Sequence, residues 1–378
     1  MNSPKTNVHR STLNAQRSSR RETNSSRWAL SVGHWALNVS LSSIFVIALT
    51  VRADTAADED TKFQKAFDAA NDRALAYLAK AQLPNGSWPG DMRENTAIAS
   101  LGVMAFLARG STPSVPPYGN VINRGIDFVL NSQSPEGSLI GYGGGQMYSH
   151  NISTLMLSEV SGMVDPERQK RVDEALAKAL KIILDAQLVK KGESQRGGWR
   201  YVPHSNDSDL SHSGWALMAL RSARNNGAPV PREAIDDALK YIARCSNKDG
   251  GFAYQPGGGS SVAMTGVGLL CLELSGRHRD EVTTKAAQHI IRDFKDKWND
   301  RFVFYTLYYV AQAMFQFGGE EWENFAPEFY STVLKLQRPD GSWMAWREQE
   351  PQAGPCYCTS MAVLALSVSY RQLPIYQR

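Results

Sequence analysis

The chain has 378 residues, 42% hydrophobic and 21% charged, enough apolar material for one large domain or two ordinary ones. Its formal charge of +4 is unevenly held: residues 1–53 carry seven bases (Lys5, Arg10, Arg17, Arg20, Arg21, Arg27, Arg52) and one acid, Glu22, leaving 34 basic and 36 acidic residues elsewhere. A net charge of about −2 on the remainder gives no support to a basic nucleic-acid face.

Residues 1–53 read as a signal peptide with a long basic leader. They are Arg/Ser/Asn-rich to Arg27 and apolar from Leu41 to Val51. Val51-Arg52-Ala53 puts small residues at the −3 and −1 positions of a cleavage site after Ala53. The expectation is export, to the periplasm or outside the cell. The alternative is anchoring, with membrane contact only through an uncleaved N-terminal segment, although the apolar run is short for a full span. Residues 54–61 read as a linker, 62–372 as the folded domain and 373–378 as a C-terminal tail.

From there the chain repeats. Gln82-Leu83-Pro84-Asn85-Gly86-Ser87-Trp88 returns 255 residues later as Gln337-Arg338-Pro339-Asp340-Gly341-Ser342-Trp343. Degenerate copies lie at Gln133 with Gly137 and Leu139, at Gln187 with a delayed Gly198-Trp199, and at Ser246 with Gly250 and Phe252. A further, eroded copy spans Ala286 to Trp298. Each is preceded by an amphipathic helical pattern such as Arg73 to Gln82, with apolar residues at i, i+3 and i+4.

A second, more apolar helix follows each copy: Thr96 to Arg109, Ile152 to Ser161, Gly214 to Arg224, Val262 to Leu274, Phe304 to Phe317 and Thr359 to Tyr370. Glycine follows several of them, as a left-handed helix stop requires. Helices apolar on all sides belong inside and amphipathic ones outside. Six such pairs predict an all-α (α/α)6 toroid with a central cavity. The glycine permits the tight exit from each outer helix, and Gln and Trp are expected to hold that turn rather than do chemistry. Cys245 and Cys271 fall in helical patterns and read as buried free thiols.

The pattern Arg/Lys-Ala/Gly-x-x-aromatic-aliphatic-x-x-x-Gln-x-x-x-Gly-x-Trp, met at every position by residues 73–88, resembles the prenyltransferase/squalene oxidase repeat of the terpenoid cyclase and protein prenyltransferase superfamily. The resemblance covers about residues 62–372. It implies an isoprenoid or other lipid-like ligand. In cyclases of this superfamily an Asp-x-Asp-Asp motif opens an inner helix, and its central Asp is the acid. Asp207-Ser208-Asp209-Leu210 stands at that kind of place, so the resemblance implies Asp209 as catalytic acid, with Asp207 and His212 beside it. Leu210 replaces the third carboxylate, which alters the tuning such an acid needs. The alternative for this segment is a cap on the inner helix.

The zinc-ligand pattern of the prenyltransferases is not reproduced, so no metal and no cofactor are expected. Cys-Gly-Glu-Gln, the thioester signature of a related toroid, does not occur. Tyr148 and His150 near the second inner helix, Trp215 after the Asp209 segment, and Phe304, Tyr305, Tyr308 and Tyr309 on the fifth inner helix are the candidate substrate-binding residues. For the aromatic stripe, cation stabilisation and plain core packing both stay open. So do two readings of the hydroxyls at the inner-helix starts (Thr96, Ser153 or Thr154, Ser213, Thr265, Thr306, Thr359): helix-end satisfaction or a polar binding mouth. Three functions remain in view: a lipid-binding toroid with acid chemistry at Asp209, a non-catalytic module binding a protein or glycan at the mouth, and a polysaccharide lyase or hydrolase using Asp207, Asp209, His150 and His212.

Overall fold

A computed structural model describes residues 64–90, 95–140, 146–299 and 301–377. The predicted leader and linker, and the glycine run at 141–145, lie outside the described residues. Twelve α-helices occur among those described. The outer set is α1 (64–81), α3 (Gly119–Asn131), α5 (Pro166–Leu188), α7 (Arg232–Arg244), α9 (Glu281–Lys297) and α11 (Gly319–Lys335). The inner set is α2 (Thr96–Ala108), α4 (Gln146–Val160), α6 (Leu210–Asn225), α8 (Val262–Leu274), α10 (Val303–Phe317) and α12 (Gly354–Leu366).

Sequence character sorts them. Every residue of α2 is buried, whereas α7 buries one stripe, Ala234, Ile235, Ala238, Tyr241 and Ile242. The inner helices pack in a circuit, α2 on α4, α4 on α6, α6 on α8, α8 on α10, α10 on α12, and α12 back on α2. The all-α toroid is therefore closed. The expected glycine stops are present: Gly110, Gly162, Gly227, Gly276 and Gly318 all have positive φ.

The repeat residues lock neighbouring pairs together. Gln82 Nε2 donates to Gly86 O at 3.0 Å within its own turn and to Val121 O of α3 at 2.9 Å. Gln133 does the same with Gly137 and Ala175, and Gln187 with Gly197 and Ala234. Gln337 Nε2 donates to Ala70 O of α1 at 2.8 Å, joining the last repeat to the first. Trp88, Trp199 and Trp343 donate their indole N–H back to Leu78, Ile183 and Val333 of the preceding outer helix. Gly86 has φ +92°, and a Cβ there would sit 2.1 Å from Arg124 O, so glycine is needed for both torsion and approach.

The interior expected as a cavity is packed among the described residues. Trp215 stacks on Tyr308 at 5.4 Å and meets Tyr309 edge-on at the same distance. The C-terminal residues 374–376 form a short 3-10 helix packed on α6. Tyr376 OH lies 2.5 Å from Tyr308 OH, and Ile375 N–H donates to the buried Glu159 carboxylate at 3.2 Å. Bulky aromatics and residues 374–376 therefore occupy the centre. A hollow of about 10 Å³ by the C-terminal ends of α2 and α12, beside Gln312, Leu364 and Tyr376, has room for about one water.

No helix among the described residues is long and apolar enough to cross a membrane. All four cysteines are buried and free. No metal-ligating cluster occurs among the described residues.

Candidate functional site

The start of α6 gathers the polar residues that the sequence singled out. Asp209 is extended, φ −136° and ψ 160°, and caps the helix by accepting from His212 N–H at 2.8 Å. Its backbone is pinned as well: Asp209 N–H donates to Trp199 O at 2.8 Å, and the next residue, Leu210, donates to Tyr254 O at 2.8 Å. The cap role left open by the sequence is thus occupied, but the side chain does more than cap.

Both Asp209 and His212 are completely buried. Nδ1 of His212 lies 2.8 and 3.0 Å from the two carboxylate oxygens. Ser211 Oγ donates to Asp209 at 2.7 Å, Tyr254 OH donates at 3.0 Å, and Arg200 reaches it at 3.4 Å. Because the Ser211 proton is spent on Asp209, Tyr148 OH, 2.6 Å from Ser211 Oγ, must donate to it. Burial works against the Asp209 anion, but the His212, Ser211 and backbone donors outweigh it and hold the acid below its usual range. An ionised carboxylate with five donors suits Asp209 to orienting His212 more than to giving up a proton.

Nε2 of His212 is buried without a hydrogen-bond partner. The ring is flanked by Tyr148 at 3.9 Å and by Tyr201 at 4.4 Å, centroid to centroid. With Nδ1 facing a carboxylate, Nδ1 carries the proton in the neutral tautomer, and Nε2 is left as the free basic atom. Desolvation and the Asp209 charge push the Tyr148 and Tyr254 phenols above their usual range, so both stay neutral donors. Asp207 is more open, its side chain 42% exposed, and pairs with Arg200 at 3.3 Å. One guanidinium therefore bridges both aspartates.

The other expected residues divide. Tyr148 belongs to the cluster. Trp215, Tyr308 and Tyr309 lie deeper and pack against each other, with Tyr305 4.8 Å from Tyr309. Neither Tyr305 nor Tyr309 has a well-formed hydrogen bond for its hydroxyl. Phe304 is fully buried in the core, and its N–H is held by Glu350, which caps α10 by accepting from Phe304 and Tyr305. Burial raises the Glu350 acid to about 7.

His150 is a correction. Its Nδ1 accepts from Leu139 N–H at 3.1 Å, so its Nε2–H donates to Ala179 O at 3.0 Å. Both ring nitrogens are spent on joining α4 to its own repeat turn and to α5, and burial lowers its pKa to about 4. It cannot contact a ligand at the mouth. The inner-helix hydroxyls do related work: Ser213, Thr265 and Thr359 accept the backbone N–H of Trp199, Phe252 and Trp343. Thr96 donates to Leu139 O, and Thr154 and Thr306 donate to the carbonyls four residues back, so each of the six hydroxyls is engaged with local backbone.

Arg200, Tyr201, Ser211 and Tyr254 were missed by sequence reasoning. A signal existed: Tyr201 and Tyr254 each stand two residues beyond the repeat aromatic, Trp199 and Phe252.

The model of the prenyltransferase alpha-alpha toroid domain matches residues 120–297 and 284–374. No curated relative matches. Among solved structures, a variant of the type II terpene cyclase MstE from Scytonema with merosterolic acid A as product is 16% identical, covering 83% of this chain and 99% of that one, with a TM-score of 0.51. A second MstE variant, holding geranylgeranyl dihydroxybenzoate as substrate, is 14% identical over 83% and 99% of the two chains, TM-score 0.50. A glycosidase variant in complex with glucose is 12% identical over 82% and 98%, TM-score 0.51. At such identities the likeness is one of fold.

Proposed function

The chain belongs to the prenyltransferase alpha-alpha toroid domain family, and on that premise we propose that it binds an isoprenoid or other lipid-like ligand at the α4–α6 mouth and moves a proton at its polar end. The carrying observation is His212 Nε2, buried without a partner while Asp209 fixes Nδ1. An unmet polar atom in a dry aromatic setting is costly unless a ligand meets it. His212 is the group that gives or takes the proton. Asp209 is a positioning residue, and Asp207 steadies Arg200. The stacked Trp215 and Tyr308, with Tyr305 and Tyr309, supply the apolar wall for the ligand's carbon skeleton. A bulky ligand needs those rings to part. The terpene cyclase fold likeness supports the ligand class.

A glycan or protein at the mouth, without chemistry, is the second reading. The ring of Tyr201, 42% exposed beside His212, offers a flat face of the kind sugars stack on, and the glycosidase fold likeness fits it. Glycan hydrolysis with Asp209 as the acid is disfavoured, because that acid needs a raised pKa and Asp209 is shifted down. The basic leader and the small residues before Asp54 support export; N-terminal sequencing of the secreted form tests that.

The experiment is mass spectrometry of organic extracts of the purified protein, followed by incubation with polyprenyl substrates. A bound lipid, with product formation lost in His212→Gln, is the expected result. No lipid and no product, with retention on a glycan or protein array, would transfer the mouth to the second reading.

A further inference from the structure

Away from that mouth, α6 carries a second polar feature. Arg221 and Arg224 line an open hollow of about 310 Å³ with Arg232 of α7 and Ser275 after α8, over the apolar side chains of Ile235 and Leu239. Elsewhere, three arginines that sink into the fold meet a carboxylate. Arg109 reaches Asp68 at 2.7 Å, Arg168 reaches Asp127 at 2.7 Å, and Arg200 bridges Asp207 and Asp209. Arg221 and Arg224 have no ion pair among the described residues. Nε of Arg221 and Oγ of Ser275 are buried with no partner.

The charge balance of the hollow is positive. Three arginines line it against one acid, Asp236, which lies 3.6 Å from Arg232. Burial and the neighbouring Arg224 disfavour the Arg221 cation, yet a guanidinium does not deprotonate in a protein. A half-buried charge without a counter-charge is costly, and an anion removes that cost. Guanidinium forks match the tetrahedral oxygens of phosphate, which accept two parallel N–H bonds.

We infer that this hollow is a binding site for a phosphate monoester, its phosphate on Arg221, Arg224 and Ser275 and its carbon portion over Ile235 and Leu239. The site is independent of the Asp209 mouth: Arg221 and Arg224 stand 12 and 15 residues further along the chain, roughly 20 Å by helical rise. The same chemistry is offered by a soluble phosphate ester and by the headgroup of phosphatidic acid.

The test is calorimetric titration of the full chain with inorganic phosphate and with phenyl phosphate at fixed ionic strength, beside co-sedimentation with phosphatidylcholine vesicles with and without phosphatidic acid. Saturable phenyl phosphate binding is expected, tighter than inorganic phosphate. Arg224→Gln and Arg221→Gln should each weaken it about tenfold or more, and Lys170→Gln on exposed α5 surface should not. Arg224 is exposed, so its variant tests the site even if Arg221→Gln fails to fold. Vesicle binding lost in the same variants identifies the headgroup as source; phosphate binding without vesicle binding identifies the soluble ester. Absence of saturable binding to either phosphate compound and to the vesicles, or binding indifferent to both substitutions, overturns the assignment.

Discussion

The Asp209 carboxylate and the His212 imidazole, three residues apart at the start of α6, are joined at 2.8 Å and buried together. One side chain thereby caps a helix and fixes a ring. Asparagine separates the two roles. Its amide oxygen still caps, since Asn is as good an N-cap as Asp. Its NH2 group, however, faces donors instead of accepting from them. Asp209→Asn should lower stability by about 1–3 kcal/mol and remove any His212-dependent turnover. Urea denaturation and product assay check this; turnover at the parent rate would reject Asp209 as the positioning residue.

Acid stability should carry opposing slopes. Asp209 is held below its usual pKa, so its contribution is present above the unfolded value and is lost as pH falls through the folded one. Glu159 and Glu350 go the other way, both raised from 4.5 to about 7 by burial. Between those values the native state holds protons that the unfolded state has released. Stability from these two groups therefore falls as pH rises through that window and is level above it. Denaturation of Glu159→Gln and Glu350→Gln against the parent at several pH values should show a flatter fall in each variant. Curves parallel to the parent's would contradict the assignment.

The packed centre makes a third prediction. Tyr376 is buried against Tyr308, and its carbonyl accepts from Gln316 at 3.2 Å. Tyr376→Ala should cost about 3–5 kcal/mol, the usual penalty for emptying a large aromatic site. It should also enlarge the hollow beside Gln312 enough to admit a small apolar probe such as benzene. A thermal melt with and without the probe reads both effects; no loss of melting temperature would mean that the C-terminal residues are not seated.

How much of this was legible follows from period. The Gln-x-x-x-Gly-x-Trp spacing and the two kinds of helix were readable because they recur, and one turn's requirements are the next turn's. Ring closure was readable because the first and last copies are the best kept. The packed centre was not, because residues 374–376 belong to no repeat and their place is set by tertiary contact with Glu159 and Tyr308. Asp209 and His212 were readable as a pair within one helical turn. Tyr148, Tyr201, Tyr254 and Arg200 converge on them from separate loops and helices, and only the fold brings those together. His150 was misread because a histidine near a helix start carries the same letter whether it is catalytic or a staple.

Closure of the ring gives a fourth prediction. Gln337 Nε2 holds Ala70 O, and Arg73 donates to Gln337 Oε1. Gln337→Ala leaves the Ala70 carbonyl without this partner, at about 1–3 kcal/mol. Hydrogen exchange should then rise in α1 and α11 before it rises in α5 or α7. Uniform exchange around the ring would argue that the junction is no special seam.

His150 separates structure from function most sharply. In the third, fourth and sixth repeats a hydroxyl (Ser213, Thr265, Thr359) accepts the N–H of the repeat aromatic; in the second, His150 Nδ1 accepts that of Leu139. Removal of the ring orphans that N–H and the Ala179 carbonyl at once, so His150→Ala should cost about 2–4 kcal/mol. Glutamine, with one acceptor and one donor end, should recover part of it. Burial holds the imidazole neutral, its pKa lowered from 6.5 to about 4. The unfolded chain therefore gains a proton that the native one refuses as pH falls between those values, and stability is lost there. That slope should vanish in His150→Gln. Ligand binding by folded His150→Gln should match the parent, whereas His212→Gln, which takes the ring from the buried Asp209 carboxylate, should lose it at a stability cost of about 1–3 kcal/mol. If instead His150→Gln abolished binding while stability and its pH slope stayed at parental values, the staple role would be wrong and His150 would return to the mouth.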